Sequence, residues 1–395
     1  MCRFLVYKGK DEILLSKLIL DPTHSILRQS YDSRLRLDTR RPHNGDGFGV
    51  GYYTPPTLGP SPCIFTSTIP AWNCINLSRL ASKTTSSLIF AHVRATTEGT
   101  LSDSNCHPFR HATLMFMHNG NIGVWARIKR SLALSLADRW FLSVQGGTDS
   151  EWAFALFLDS LERLGCDPSA TPPALPAGGF GPALLAKAMR HTIARINALT
   201  SSAAVSGSDD DQLDRRSLLN FAVTDGHTVV CTRYVSSRTD EAASLYFSSG
   251  TSWGPEASRP PRGGDYKMER RDKGADIVLV ASEPLTFERV PTNSLLTIHS
   301  QTVMVHPIVD EHYNAAASTE RSAGFASSKG LVSAAPASLV VAPGVGSLGS
   351  GGSGGGDENG DEHGGGSGAG GTGLVNGLDQ SVAVAVAVEP AVVRA

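Results

Sequence analysis

Short apolar runs bounded by Gly, Pro or Ser recur through the first three quarters of the chain, with little strict alternation of apolar and polar positions. Runs of that length and flanking read as buried strands. They predict strands at residues 2–7, 48–53, 63–68, 88–93 and 113–118. A second set is predicted at 218–224, 228–234, 245–248, 277–281, 295–299 and 302–305. The period changes to a helical one at 122–136, where Ile122, Trp125, Ile128 and Leu132 fall near one stripe. It does so again at 151–164, through Phe154, Phe157, Leu158, Leu161 and Leu164. A third helix is expected at 182–199, with Pro182 in the first turn, where the missing N–H costs nothing. Many short strands with a few long helices argue for an α+β fold rather than alternating α/β.

Two stretches interrupt this pattern and read as surface insertions: residues 165–181, rich in Pro and Gly, and residues 201–211, small, polar and acidic. From Thr319 the chain becomes rich in Ala, Ser and Gly. Such a segment buries too little apolar surface to offset its ordering entropy. One folded domain is therefore expected over residues 2–310, followed by a disordered tail over 319–395. A net charge of −2 favours neither nucleic acid nor a membrane surface. No apolar run reaches the ~18 residues of a transmembrane helix, and no signal peptide is recognisable. The six cysteines form no CxxC pair or even framework, which favours a reducing, cytoplasmic setting.

Chemistry enters with Cys2, directly behind the initiator Met1. Removal of Met1 would leave one residue carrying a thiol and a free α-amine, with reference pKa values of about 8.5 and about 7.7–8.0. An amine so close to neutrality can take the thiol proton, so nucleophile and base share one amino acid. The bland reading is a small apolar residue at a strand start. Four further segments bear on the choice: Phe90-Ala91-His92-Val93-Arg94-Ala95-Thr96-Thr97, Asn105-Cys106-His107-Pro108-Phe109, Met117-His118-Asn119-Gly120-Asn121 and Gly147-Thr148-Asp149-Ser150-Glu151.

In order and spacing these segments resemble the class II glutamine amidotransferases, which use an N-terminal nucleophile. Residues 29–38, Asn44-Gly45-Asp46-Gly47 and Ser282-Glu283-Pro284-Leu285-Thr286 narrow the likeness to the amidotransferase-like subunit of the fungal glutathione-degradation pathway. The resemblance spans Cys2 to about Ile308. It implies a four-layer αββα sandwich of two antiparallel sheets. It also implies an oxyanion hole at Asn119 and Gly120, with Arg94 and Thr97 on a substrate carboxylate and Asp149 on its ammonium. The segment from Arg94 to Gly99 stands where the family more usually has Arg-Trp-Ala-Thr-His-Gly.

Each assignment has a plainer counterpart in the residues themselves. Asn119-Gly120 follows a predicted strand, where a side-chain amide and a backbone N–H can point at one oxyanion; an ordinary Asn-Gly turn reads the same. Glycine there permits close approach and φ > 0. Arg94 after its strand can fork onto a carboxylate or lie on the surface. Thr148 and Glu151 fit a capping box, so Asp149 also marks a helix start. His92, His107, His118 and Cys106 match no zinc spacing. His107 reads as a pocket wall, and no metal or cofactor is expected. The Gly-rich turn at 44–47 lacks the Lys of a phosphate loop and reads as packing under the site.

A clamp of Arg94, Thr97 and Asp149 would hold an α-amino-acid head while Cys2 attacks the side-chain carbonyl. Glutamine and glutathione present that same γ-glutamyl head, so the clamp does not separate them. The resemblance favours glutathione hydrolysis through a Cys2 thioester, together with a second subunit related to metallopeptidases. The competing readings are a glutaminase feeding ammonia to a separate acceptor enzyme, and a non-catalytic scaffold.

Overall fold

The computed structural model describes residues 2–32, 43–96, 100–203, 214–256, 265–271, 274–283 and 288–315. The tail beyond 315, most of the acidic stretch at 201–211 and Thr97 lie outside them. Two large sheets carry the fold, and every pairing in them is antiparallel. The first has seven strands in the order Glu288–Arg289, Tyr246–Gly250, Ile277–Ala281, Arg3–Leu14, Thr85–Val93, Phe48–Tyr52 and Cys63–Ser67. The second has six, in the order Thr302–Pro307, Ser294–His299, Thr228–Arg233, Leu218–Thr224, Leu114–Asn121 and Phe109–His111. A separate hairpin pairs Ser252–Pro255 with Tyr266–Glu269.

Side chains alternate across each strand, and here both faces are apolar. In the first sheet Phe4, Val6, Leu88, Phe90, Val278 and Val280 point to one face, whereas Leu5, Tyr7, Ile89, Ala91, Leu279 and Ala281 point to the other. In the second, Met115, Met117, Ala222, Cys231 and Ile298 join the first group, while Leu114, Phe116, Leu219, Phe221 and Leu295 face away. Three separate cores result: one between the sheets and one outside each. The short helices Ser16–Ile19, Ile26–Gln29 and Ile75–Ala81 supply Leu18, Ile19, Ile26 and Leu77 to the outer core of the first sheet. The helices Trp125–Ser135, Asp138–Ser143, Asp149–Arg163 and Pro182–Ser202 cover the second. This is the expected α+β sandwich in four layers, and it explains why the strands read as continuous apolar runs.

The helix expected from residue 122 begins instead at Trp125. The N–H of Ile122 donates to Asp149 Oδ2 at 2.8 Å and that of Gly123 to Ser217 Oγ at 2.9 Å. Val124 then turns through a left-handed φ of 46°. The expected capping box at Thr148 forms only in half. Thr148 Oγ1 accepts from the N–H of Glu151 at 3.4 Å, but the Glu151 carboxylate accepts from the backbone of Gln145 and Gly146. It ties the preceding loop to the helix rather than closing the reciprocal bond. The helix Asp149–Arg163 is buried around nearly its whole circumference, since Trp152 meets Trp125 and Phe141 on one side while Phe154 stacks on Phe116 on the other.

Candidate active site

Cys2 lies at the start of the central strand Arg3–Leu14, half-buried, with its thiol free. Register places Arg3 opposite Val93, which brings the residues following Val93 alongside Cys2. The N–H of Ala95 stands 3.4 Å from Cys2 Sγ, and the thiol faces the Ala95 carbonyl at 3.6 Å. The small side chain at 95 leaves room for this approach. Arg3 Nη1 donates to the Cys2 carbonyl at 2.8 Å, and Arg3 Nε donates to Glu283 Oε1 at 2.7 Å. Both partners of that ion pair are buried, and breaking such a pair strands a charge in a poorly solvated place.

Arg94 is 3% exposed. Its Nη1 reaches the Thr100 carbonyl at 3.5 Å, while Nη2 has no hydrogen-bond partner among the described residues. The turn at 44–47 braces this segment from below. Arg94 N–H donates to the Gly47 carbonyl at 2.8 Å, and Thr96 N–H donates to Asp46 Oδ2 at 2.7 Å. Gly47 adopts φ +111°, and a Cβ there would come within 2.7 Å of Cys106 Sγ, so no other residue fits. Burial pushes the Cys106 thiol up to about 11, with the charge of Arg94 opposing. Cys106 therefore stays protonated beside the site.

Asn119 and Gly120 do not follow a strand, as expected, but lie within Leu114–Asn121, opposite Asn220 and Leu219. Gly120 has no positive φ. Its requirement for glycine comes from the Leu218 carbonyl, which occupies the space a Cβ would take. Asn119 is buried, with Nδ2 3.2 Å from Ser282 Oγ and Oδ1 without a partner among the described residues. Ser282 Oγ also accepts the N–H of Phe4 at 3.0 Å. The second sheet is thereby linked to the nucleophile strand through one hydroxyl.

Asp149 is half-buried at the first position of its helix and accepts from Ile122 N–H, with Ser150 Oγ 3.3 Å from its Oδ1. Ser150 Oγ also meets His118 Nδ1 at 2.9 Å, and His118 Nε2 faces the Leu218 carbonyl at 3.0 Å. A carbonyl only accepts, so His118 carries its proton on Nε2. Burial holds His118 below the usual imidazole range, against the pull of Asp149. His107 is buried, with neither ring nitrogen partnered among the described residues, and its ring packs on His92 and Phe109. No group of three or more potential metal ligands occurs among the described residues.

The structure thus gathers Cys2, Arg94, His107, Asn119, Gly120 and Asp149 through short chains of contacts at one end of the two sheets. Arg3, Asp46, Ser150, Ser282 and Glu283 take part in those chains without having been assigned a role from sequence. Ser282 and Glu283 belong to the segment 282–286 that narrows the resemblance, but nothing in their local sequence reveals bonds to strands over 100 residues away.

The family described as glutamine amidotransferases class-II matches residues 27–175. "Probable glutamine amidotransferase DUG3" of Saccharomyces cerevisiae is 52% identical over 348 residues, covering 86% of this chain and 94% of that protein. Among solved structures, a glutamine aminotransferase class-II domain protein from Silicibacter pomeroyi aligns at 22% identity and TM-score 0.48, over 78% of this chain and all of that one. The glutamine phosphoribosylpyrophosphate amidotransferase of B. subtilis aligns at 14% identity and TM-score 0.43, over 78% of this chain and 49% of that one. No helix among the described residues is long and apolar enough to cross a membrane. On the extent and identity of the match to the yeast protein, the chain belongs to the class II glutamine amidotransferases, enzymes of amide hydrolysis and transfer.

Proposed function

We propose that this chain cleaves the γ-glutamyl bond of glutathione through a thioester on Cys2, working with a second protein subunit. The observation that carries the γ-glutamyl part is Arg94: a guanidinium 3% exposed, with Nη2 unpartnered among the described residues, one residue before the N–H that touches the Cys2 sulfur. A buried guanidinium donor without an acceptor is costly unless an anion arrives, and a substrate α-carboxylate supplies one. Asp149 gives a carboxylate for the α-ammonium, and Thr97, on the sequence resemblance, adds a hydroxyl donor. Cys2 Sγ attacks the γ-carbonyl carbon while the Cys2 α-amine takes the thiol proton. Asn119 Nδ2 and the Gly120 N–H stabilise the oxyanion. Collapse of the tetrahedral intermediate expels the leaving amine, protonated by the same α-ammonium, and water then hydrolyses the thioester.

The choice of glutathione over glutamine rests on the sequence likeness at residues 29–38 and 282–286. The name of the yeast relative favours glutamine as donor instead, with ammonia passed to an acceptor enzyme. Purified protein with its copurifying partners, assayed for cysteinylglycine release from glutathione and ammonia release from glutamine, separates the two. A higher kcat/KM for glutathione is expected. Ammonia release from glutamine without any cysteinylglycine from glutathione overturns the proposal.

A further inference from the structure

We infer that Ser282 is a positioning residue that fixes which end of the Asn119 amide faces the substrate carbonyl. This rests on the reading of Asn119 as an oxyanion donor, and it adds the group that makes it one.

Ser282 is wholly buried and Asn119 is 1% exposed. Ser282 Oγ accepts from Phe4 N–H at 3.0 Å and lies 3.2 Å from Asn119 Nδ2. With the amide nitrogen turned to Ser282, the hydroxyl proton has no acceptor among the described residues. Asn119 Oδ1 likewise has no donor among them. Two polar atoms are then unsatisfied in one dry place, a costly state. The free end of the amide is also the wrong one, because it offers lone pairs where negative charge must develop.

A half-turn of the amide exchanges oxygen and nitrogen with almost no change of shape. Ser282 then donates its proton to Asn119 Oδ1 and still accepts from Phe4 N–H. Both faults vanish together, and the whole NH₂ group is free for an oxyanion. The hydroxyl is held for this task, because Ser282 N–H donates to the Phe4 carbonyl at 3.1 Å and Ser244 Oγ donates to the Ser282 carbonyl at 2.7 Å. Its neighbour Glu283 grips Arg3, and through Arg3 the Cys2 carbonyl. The dipeptide Ser282-Glu283 thus spans nucleophile and oxyanion donor.

The test is a double-mutant cycle on the full-length protein with its partners, measured with both glutathione and glutamine. Ser282→Ala is expected to lower kcat by about 10–100-fold, as for partial loss of an oxyanion donor, with KM within about twofold. In an Asn119→Ala background the same change is expected to cost almost nothing further, because the amide through which it acts is already gone. Equal losses in both backgrounds, or a rise in KM with kcat kept, overturn the inference. Should Ser282→Ala fail to fold, Ser282→Cys keeps the volume with a weak donor and enters the same cycle. A kcat unchanged by Asn119→Ala itself rejects the oxyanion role, and with it the proposed mechanism, rather than the inference about Ser282 alone.

Discussion

The rings of His92 and His107 pack with centroids 4.1 Å apart and planes inclined at 36°. Burial holds His92 down to about 3, with the Arg94 charge adding to the effect, and burial holds His107 well below the imidazole range. Both are neutral in the folded protein. In the unfolded chain they titrate near 6.5.

The sign of the pH dependence follows. Above about pH 6.5 neither state binds the protons, and stability is fully present. Below it the unfolded chain binds more protons than the native one, so stability falls as pH falls, by up to about 1.4 kcal/mol per pH unit for each ring. For His92 the loss continues toward about pH 3. Denaturant unfolding at pH 7.5, 6.0 and 5.0 checks this, and His107→Phe is expected to flatten the slope. A stability unchanged between pH 7.5 and 5.0 contradicts it.

Processing comes next. Intact-mass measurement of active protein is expected to show loss of Met1, and Cys2→Ser to show severe loss of kcat, since a hydroxyl ionises far less readily than a thiol. Full activity with Met1 retained defeats the N-terminal base, and full activity in Cys2→Ala restores the scaffold reading.

Binding and chemistry separate at two residues. Asn119→Ala is expected to lower kcat by about 10²–10³-fold with little change in KM. Arg94→Lys is expected to raise KM by about tenfold or more, because an ammonium does not reproduce the guanidinium fork. Matching kinetic profiles for the two variants contradict the assigned roles.

Stability of the second sheet turns on Phe116, which is fully buried and packs on Phe154 at 5.2 Å and on Phe221 at 5.1 Å. Phe116→Ala is expected to cost about 3–5 kcal/mol, read as a lowered midpoint of denaturant unfolding. Removal of residues 319–395, by contrast, is expected to leave melting temperature and kcat unchanged, on grounds of composition. A drop of more than a few degrees counts against the domain boundary.

Strands were legible where both faces are apolar: residues 218–224 and 277–281 match the strands Leu218–Thr224 and Ile277–Ala281. The short helices Ser16–Ile19, Ile26–Gln29 and Ile75–Ala81 were not. Four to seven residues hold too few turns to show a period, and packing on the sheet sets them more than propensity does. The hairpin Ser252–Pro255 with Tyr266–Glu269 escaped notice because its flanks mix Gly, Pro and charge. At the site, motif spacing singled out Cys2, Arg94, Asn119 and Asp149; Cys2, Arg94 and Asp149 flank or open an element, whereas Asn119 lies inside one. The contacts that orient them, Glu283 on Arg3 and Ser150 on His118, join residues far apart in the chain and carry no local signature.

The strand that bears Cys2 has neighbours on both sides, and one of them, Ile277–Ala281, is made near the end of the described chain. A ribosome adding roughly 5–20 residues per second leaves the first strand without that neighbour for tens of seconds. The thiol is therefore born long before the pocket that governs it. In the proposed mechanism, the trimming of Met1 has its opportunity in that interval, on an open end. Synthesis itself sets the sequence of events: the reagent is unwrapped first, and the vessel is closed around it last.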